Sequence, residues 1–465
     1  MAIFAKIIKK IQTVQTVCYS DKKINRLILR LAIPAICSNI TVPLLGLSDT
    51  FISGHMGGEK FLAAIAVGTM MVNSIYWLWG FLRMGTTGLT AEAFGAEDHE
   101  GCRRIFTASF MLGFFSGMVL LLLAYPLSRL ILAIMDPQPD TALLAARYFM
   151  ISLASAPAFL ATMAVNGWMI GRQNTLYTMI TAITVNVVNI LLSFTFVFAC
   201  GWGFIGVATG TSLANWIGLG VALALARRMA AGEPLWAPMR EVRAKLDLRR
   251  FFRVNSDLLL RSATLMSVFF AMTAFAGRMG NLVLAQNAIL MQFFMFFSYF
   301  MDGFAYSAEA LCGRFAGAAD RPSIGATIRG LAMWSAAMCV VFTLVFGCFT
   351  PQIAALLTDS AEVVAQIVTM RWVVLAIPVM SAAAFILDGV FIGLTDTARL
   401  LTSTVVAMAI YFAVYLLTPL ACPTSIINHN ALLWCAFLSF LLARGAVLAI
   451  CLRSSISRRL SRAME

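Results

Sequence analysis

The sequence predicts an all-α polytopic membrane protein with twelve transmembrane helices in two six-helix halves of the same topology. Three observations predict it. The first is composition: 61% of the 465 residues are hydrophobic and 12% are charged, against about 25% charged in soluble domains. Apolar runs follow one another from end to end without strict alternation, which argues for membrane helices over a soluble core or a β-barrel. The second is an internal repeat. Residues 166–175 read NGWMIGRQNT and residues 388–397 read DGVFIGLTDT, at an offset of 222. At the same offset Gly95-Ala96-Glu97-Asp98 answers Gly317-Ala318-Ala319-Asp320. Such self-similarity marks two homologous bundles able to rock against each other. The third is the placement of Lys and Arg, which alternates with the spans as described below.

In chain order, residues 1–24 form an amphipathic N-terminal segment. Ile7, Ile8, Ile11 and Val14 recur at helical spacing among Lys6, Lys9 and Lys10. This reads as a helix lying on the membrane surface rather than a signal peptide. Apolar spans follow at 27–50, 61–86, 104–126, 143–170, 175–199 and 204–226, making an N-terminal lobe over 25–226. The longest polar stretch, 227–250, is a linker. Spans at 251–276, 283–308, 325–349, 365–393, 398–420 and 430–452 make a C-terminal lobe over 251–452, and a basic tail covers 453–465. Pro34 and Pro43 lie in the first run, Pro157 in the fourth and Pro378 in the tenth. Prolines in spans kink them, and buried neighbours satisfy the freed carbonyls. With a cytoplasmic N-terminus, 26 of the 34 Lys and Arg fall on the cytoplasmic side and 5 on the other. That bias supports the span count and places both termini in the cytoplasm. Six spans per half, an even number, require parallel rather than inverted repeats. The inner (plasma) membrane is the expected location.

The net charge of +13 therefore speaks for anionic lipid head groups, and no nucleic-acid partner is expected. The ten cysteines are scattered without a CxxC pair, and His55, His99 and His429 fall far apart in predicted loops. Neither points to a metal site. No cofactor is expected beyond a transported H⁺ or Na⁺.

An ionisable residue at a span centre costs about 2.5–3.5 kcal/mol on insertion scales, so each needs a reason. Asp49 closes a long apolar run with no Lys or Arg in the ten residues before it. Two readings stand level: a carboxylate that loads and releases a proton as its surroundings alternate between wet and dry, or a helix cap bonded to a neighbouring span. Asn186 and Asn189 lie three apart on the fifth span, with Ser193 one turn on, and serve as interhelical glue or as part of a polar site. Asn287, Gln292, Asp302, Tyr306 and Glu309 form a polar stripe in the eighth span, fit to line a cavity. Asp257 and Arg261, one turn apart, are expected to pair within their helix. Arg83 either pairs with an acid or neutralises a head group. Glu92 is expected at the membrane interface, and Asp388 has a structural and a transport reading of equal weight.

Four segments then match something specific: SDTFISGHMGGEKFLAAIAVG (48–68), GFLRMGTTGLTAEAFGAED (80–98), LAQNAILMQFFMFFSYFMDGFAYSAEALCG (284–313) and DGVFIGLTDT (388–397). With them the chain resembles the multidrug and toxic compound extrusion (MATE) family, in its DinF-like branch, over residues 25–450. The resemblance implies two six-helix lobes around a central cavity. It also implies export of organic, often cationic, compounds driven by inward H⁺ or Na⁺. It makes Asp49 the first-span coupling acid and Asn189 its fifth-span partner, with Asn186 beside it. Ser193 departs from the pattern, since many relatives carry an aspartate four residues after that asparagine. Arg314 stands where relatives commonly have glutamine.

The reading that follows is a secondary antiporter for small amphipathic organic substrates, acting as a monomer among membrane lipids. A lipid-precursor flippase of the same superfamily is the alternative, disfavoured by the scarcity of Arg and Lys in the spans. An intramembrane enzyme is not expected: no GxGD or GxSG pairing occurs, and no GxxxxGK[ST] loop supports ATP drive.

Overall fold

In a computed structural model, residues 21–54, 59–421 and 428–464 are described; the surface helix expected within residues 1–20 and His55 lie outside them. The N-terminal half comprises α1 (Asp21–Gly54), α2 (Glu59–Leu78), α3 (Phe81–Gly95), α4 (His99–Leu122), α5 (Ala124–Met135), α6 (Pro139–Leu153), α7 (Ala156–Gly171), α8 (Thr175–Phe194, continued by a π turn over Thr195–Ala199) and α9 (Phe204–Met229). A short helix, α10 (Met239–Lys245), interrupts the linker. The C-terminal half comprises α11 (Leu248–Arg278), α12 (Asn281–Gly317), α13 (Arg321–Leu357), α14 (Ala361–Thr369), α15 (Arg371–Gly393), α16 (Thr397–Ala421) and α17 (His429–Met464). Among the described residues, eleven spans are long and apolar enough to cross a membrane, α2 and α3 together forming one of them. The pair α6–α7, bent by 49°, makes a twelfth.

That bend has a local cause. Pro157 has no N–H to give to the previous turn. Ser155, in the break, donates its hydroxyl to the carbonyl of Ser152 at 2.8 Å, which satisfies one carbonyl of the opened turn. In the second half Pro378 stays inside α15, and the run expected as one span over 365–393 breaks earlier, at Met370. The carbonyl of Pro378 accepts from the Cys339 thiol of α13 at 3.2 Å.

The repeated glycines are sites of close helix approach. α7 lies on α3 in the first half, and α15 lies on α12 in the second. A Cβ on Gly171 would come within 2.8 Å of the Thr87 carbonyl oxygen, and one on Gly393 within 2.7 Å of that of Glu309. Gly167 meets the carbonyl of Arg83 and Gly389 that of Ala305 in the same way. Each contact of the first half thus recurs 222 residues later. The loops repeat too. Asp98 and Asp320 cap α4 and α13 by accepting from Gly101 N (2.7 Å) and Ser323 N (3.1 Å). Glu97 and Ala319, at φ 58° and 56°, make the same left-handed turn before them. The two lobes meet where α1 and α3 lie against α12, and Arg83, Asp302 and Glu309 collect near the α3–α12 crossing.

Candidate functional site

α3 presents Arg83 to the other lobe. Its guanidinium donates to both carboxylate oxygens of Glu309 on α12, at 2.9 and 3.3 Å, and lies 4.0 Å from the centre of the Tyr306 ring. Glu309 is almost wholly buried, at 1% exposure. Asp302, two turns before Glu309 on the same helix face, lies close enough to interact with Arg83, Glu309, Asp388 and Arg261. Behind it Asp388 of α15 accepts from Arg261 of α11 and Arg444 of α17, all three buried. Three arginines and three carboxylates from both lobes therefore form one balanced charge cluster within apolar spans. A buried pair of this kind adds little net stability, but removing one partner strands the other at a cost of about 3–5 kcal/mol.

Two expectations change here. Arg261 pairs with Asp388 and not with Asp257. Asp257 lies nearer the helix start and accepts from the Thr397 hydroxyl at 2.7 Å. The tertiary partner prevails because Asp388 is buried and needs a counter-charge, whereas Asp257 has a hydroxyl donor at hand. The eighth-span stripe also divides. Asn287 and Gln292 are five residues apart, about 140° around the helix. Asn287 turns into the C-terminal lobe, where it donates to Asn430 (2.8 Å) and accepts from the Trp434 indole (2.7 Å). Gln292 is exposed on another face. Asp302, Tyr306 and Glu309 remain together around Arg83.

In the N-terminal lobe, Asp49 is placed on α1, and its side chain lies outside the described residues. Asn186 donates to Thr41 of α1 at 2.6 Å, one polar link between the helix of Asp49 and α8. Asn189 is buried; it donates to Thr211 of α9 at 3.0 Å and accepts from Ser193 at 3.2 Å.

A second contact closes the lobes at their basic end. Glu92 of α3 accepts from Arg250 of α11 at 2.9 and 2.5 Å, from Thr395 at 3.2 Å, and from Arg459 of α17. Arg314 of α12 answers by donating to Gln173 of the N-terminal lobe at 2.8 Å. The position of Glu92 beside a loop was visible in the sequence; its three partners across the lobes were not. The signal that was present is the insertion cost: it marked Asp302, Glu309 and Asp388 as acids in need of a reason and left Arg83 in need of a partner, without choosing the pairs.

The MatE family profile matches residues 34–195 and 258–417, one stretch in each half. The chain is 33% identical to the DNA damage-inducible protein F of Escherichia coli (strain K12), over 91% of each protein. It is 26% identical to a probable multidrug resistance protein NorM of Thermotoga maritima, over 43% of this chain and 44% of that one. Among solved structures, the Vibrio cholerae MATE transporter VcmN in its bent form superposes with a TM-score of 0.84 at 17% identity, covering 94% of this chain and 98% of that one. A MATE structure in a straight conformation gives 0.82 at 20% identity over 96% and 98%. With a match in both halves and an extended relative of this similarity, the chain belongs to the MatE family of multidrug and toxic compound extrusion transporters.

Proposed function

We propose that the protein is a secondary antiporter that exports small amphipathic, cationic organic compounds in exchange for H⁺. It works as a monomer in the bacterial inner membrane, with both termini in the cytoplasm. The observation that carries the reading is the Arg83–Glu309 pair, which joins the lobes inside apolar spans. Rocking the lobes apart must break or hydrate that pair, so the two access states differ in how they hold buried charge. A coupling ion acts only through such a difference. Asp49 is the principal site for the exchanged proton, with Asn189 and Asn186 in its polar surroundings. Asp302, Tyr306 and Glu309 form the substrate side. Ser193 in place of a second carboxylate leaves less negative charge for Na⁺, which favours H⁺.

The flippase alternative calls for a net cationic chamber to hold phosphates. Here Arg83, Arg261 and Arg444, the arginines of the central cluster, each already have a carboxylate partner, which supports the antiporter. The test is efflux of a lipophilic cationic dye from proteoliposomes under ΔpH and under ΔpNa, imposed separately. ΔpH alone should drive it, and Asp49→Asn should abolish uphill transport while expression and folding persist. Wild-type rates in Asp49→Asn under ΔpH would overturn the assignment.

A further inference from the structure

A cavity of about 430 Å³ opens at the basic end, away from the central cluster, between the start of α11, the loop before α16 and the tail of α17. Four arginines and three aspartates line it. The aspartates are engaged within the wall: Asp247 accepts from Arg250 N at 2.9 Å, Asp257 from Thr397, and Asp396 pairs with Arg399 at 3.6 Å. Arg250 is drawn away to Glu92. The other three, Arg249, Arg253 and Arg458, are exposed and have no ion pair or side-chain hydrogen bond among the described residues. Arg249 and Arg253 stand one turn apart on a face of α11, and Arg458 comes from α17 on the other wall.

Three guanidinium groups without an ion pair outnumber the two carboxylates in the same lining that are likewise without one among the described residues, Asp247 and Asp257, so the hollow is net positive and the guanidinium groups repel each other. A ligand that accepts from several of them at once relieves that repulsion, and the planar guanidinium fork matches the oxygens of a phosphate. The volume falls within the range of small-ligand sites, about 300–1,000 Å³. The level in the membrane fits as well. Phe252, between the two α11 arginines in sequence, is 52% exposed, placing the cavity where apolar surface gives way to head groups. We propose that this cavity binds a phosphate-bearing anion through Arg249, Arg253 and Arg458. Because Arg250 lines the same cavity and holds Glu92 of the other lobe, the site adjoins the contact that closes the basic end.

The test uses the full chain in a neutral detergent and reads binding, so it is independent of whether transport is proton-coupled. The probes are dihexanoyl phosphatidylglycerol, inorganic phosphate and, as a zwitterionic control, dihexanoyl phosphatidylcholine. Saturable binding of phosphatidylglycerol alone supports the site with a lipid head group as its ligand. Saturable binding of inorganic phosphate supports it with a soluble anion. In either case Arg253→Gln/Arg458→Gln should weaken binding by about tenfold or more. Arg227→Gln/Arg228→Gln, which removes the same charge from the exposed end of α9, should not. Binding of neither anion, equal binding of phosphatidylcholine, or equal weakening by both double variants would overturn the proposal.

Discussion

At the scale of single residues, the central cluster is a set of mutual dependences. Glu309 is buried against Arg83, so Glu309→Gln leaves a guanidinium without its counter-charge, and stability should fall by about 3–5 kcal/mol. Replacing both partners, as Arg83→Met/Glu309→Met, removes the stranded charge and should recover much of that loss without restoring transport. Thermal denaturation in detergent beside dye efflux separates the two effects. Asp388 sets up an unequal pair of variants. Asp388→Asn leaves Arg261 and Arg444 facing each other unneutralised, whereas Arg444→Met leaves a neutral Asp388–Arg261 pair. The first should therefore lower the denaturation midpoint more than the second, and equal effects would contradict the shared-carboxylate geometry. This level was the least legible in the sequence. Insertion cost marks which charges need a reason, but the reason is a partner chosen by packing. Arg261 had an acid one turn away and pairs with another far along the chain. Asn287 shares a helix with Glu309 and faces elsewhere.

At the scale of elements, the fold was legible where the backbone itself carried the signal. The repeated glycines could be read because close approach of two helices tolerates no side chain, and that demand leaves the same letters in both copies. Gly171 illustrates the strength of the demand. A methyl there meets the Thr87 carbonyl at 2.8 Å and the Thr90 side chain at 2.7 Å. Gly171→Ala should cost about 1–3 kcal/mol by overpacking. Gly220 of α9 has nothing within 4 Å of such a methyl. Gly220→Ala should be neutral or gain up to about 1 kcal/mol from helix propensity. Paired melting curves decide the matter. The break at Met370 was not legible: it lies eight residues before Pro378, beyond the carbonyl one turn back that the proline frees, and the apolar run continues through it.

For the whole molecule, the twelve-span, two-lobe plan was readable from hydropathy, charge bias and repeat together, since each rests on one-dimensional pattern. The closure of the basic end was not, because Glu92 draws its partners from the start of one helix and the end of another. Its consequence is testable. Glu92→Gln weakens the hold on Arg250 and Arg459, and the basic end should open more often. On a background without the native cysteines, Thr395→Cys should then react with a water-soluble maleimide several-fold faster than it does beside Glu92. An unchanged rate would show that the other contacts between the lobes keep the end shut without Glu92. The same crossing has a deeper reading. Gly95 rests on the carbonyl of Arg314 and Gly317 on that of Glu92, while Arg314 reaches Gln173 and Glu92 reaches Thr395. Every partner in one member of each pair is the 222-residue counterpart of a partner in the other, which is the pattern of an isologous two-fold interface. A half-length chain dimerising through this patch would set like against like at the axis. Joining the copies in one polypeptide removes that constraint, and it lets an acid on one side of the axis stand opposite a base on the other.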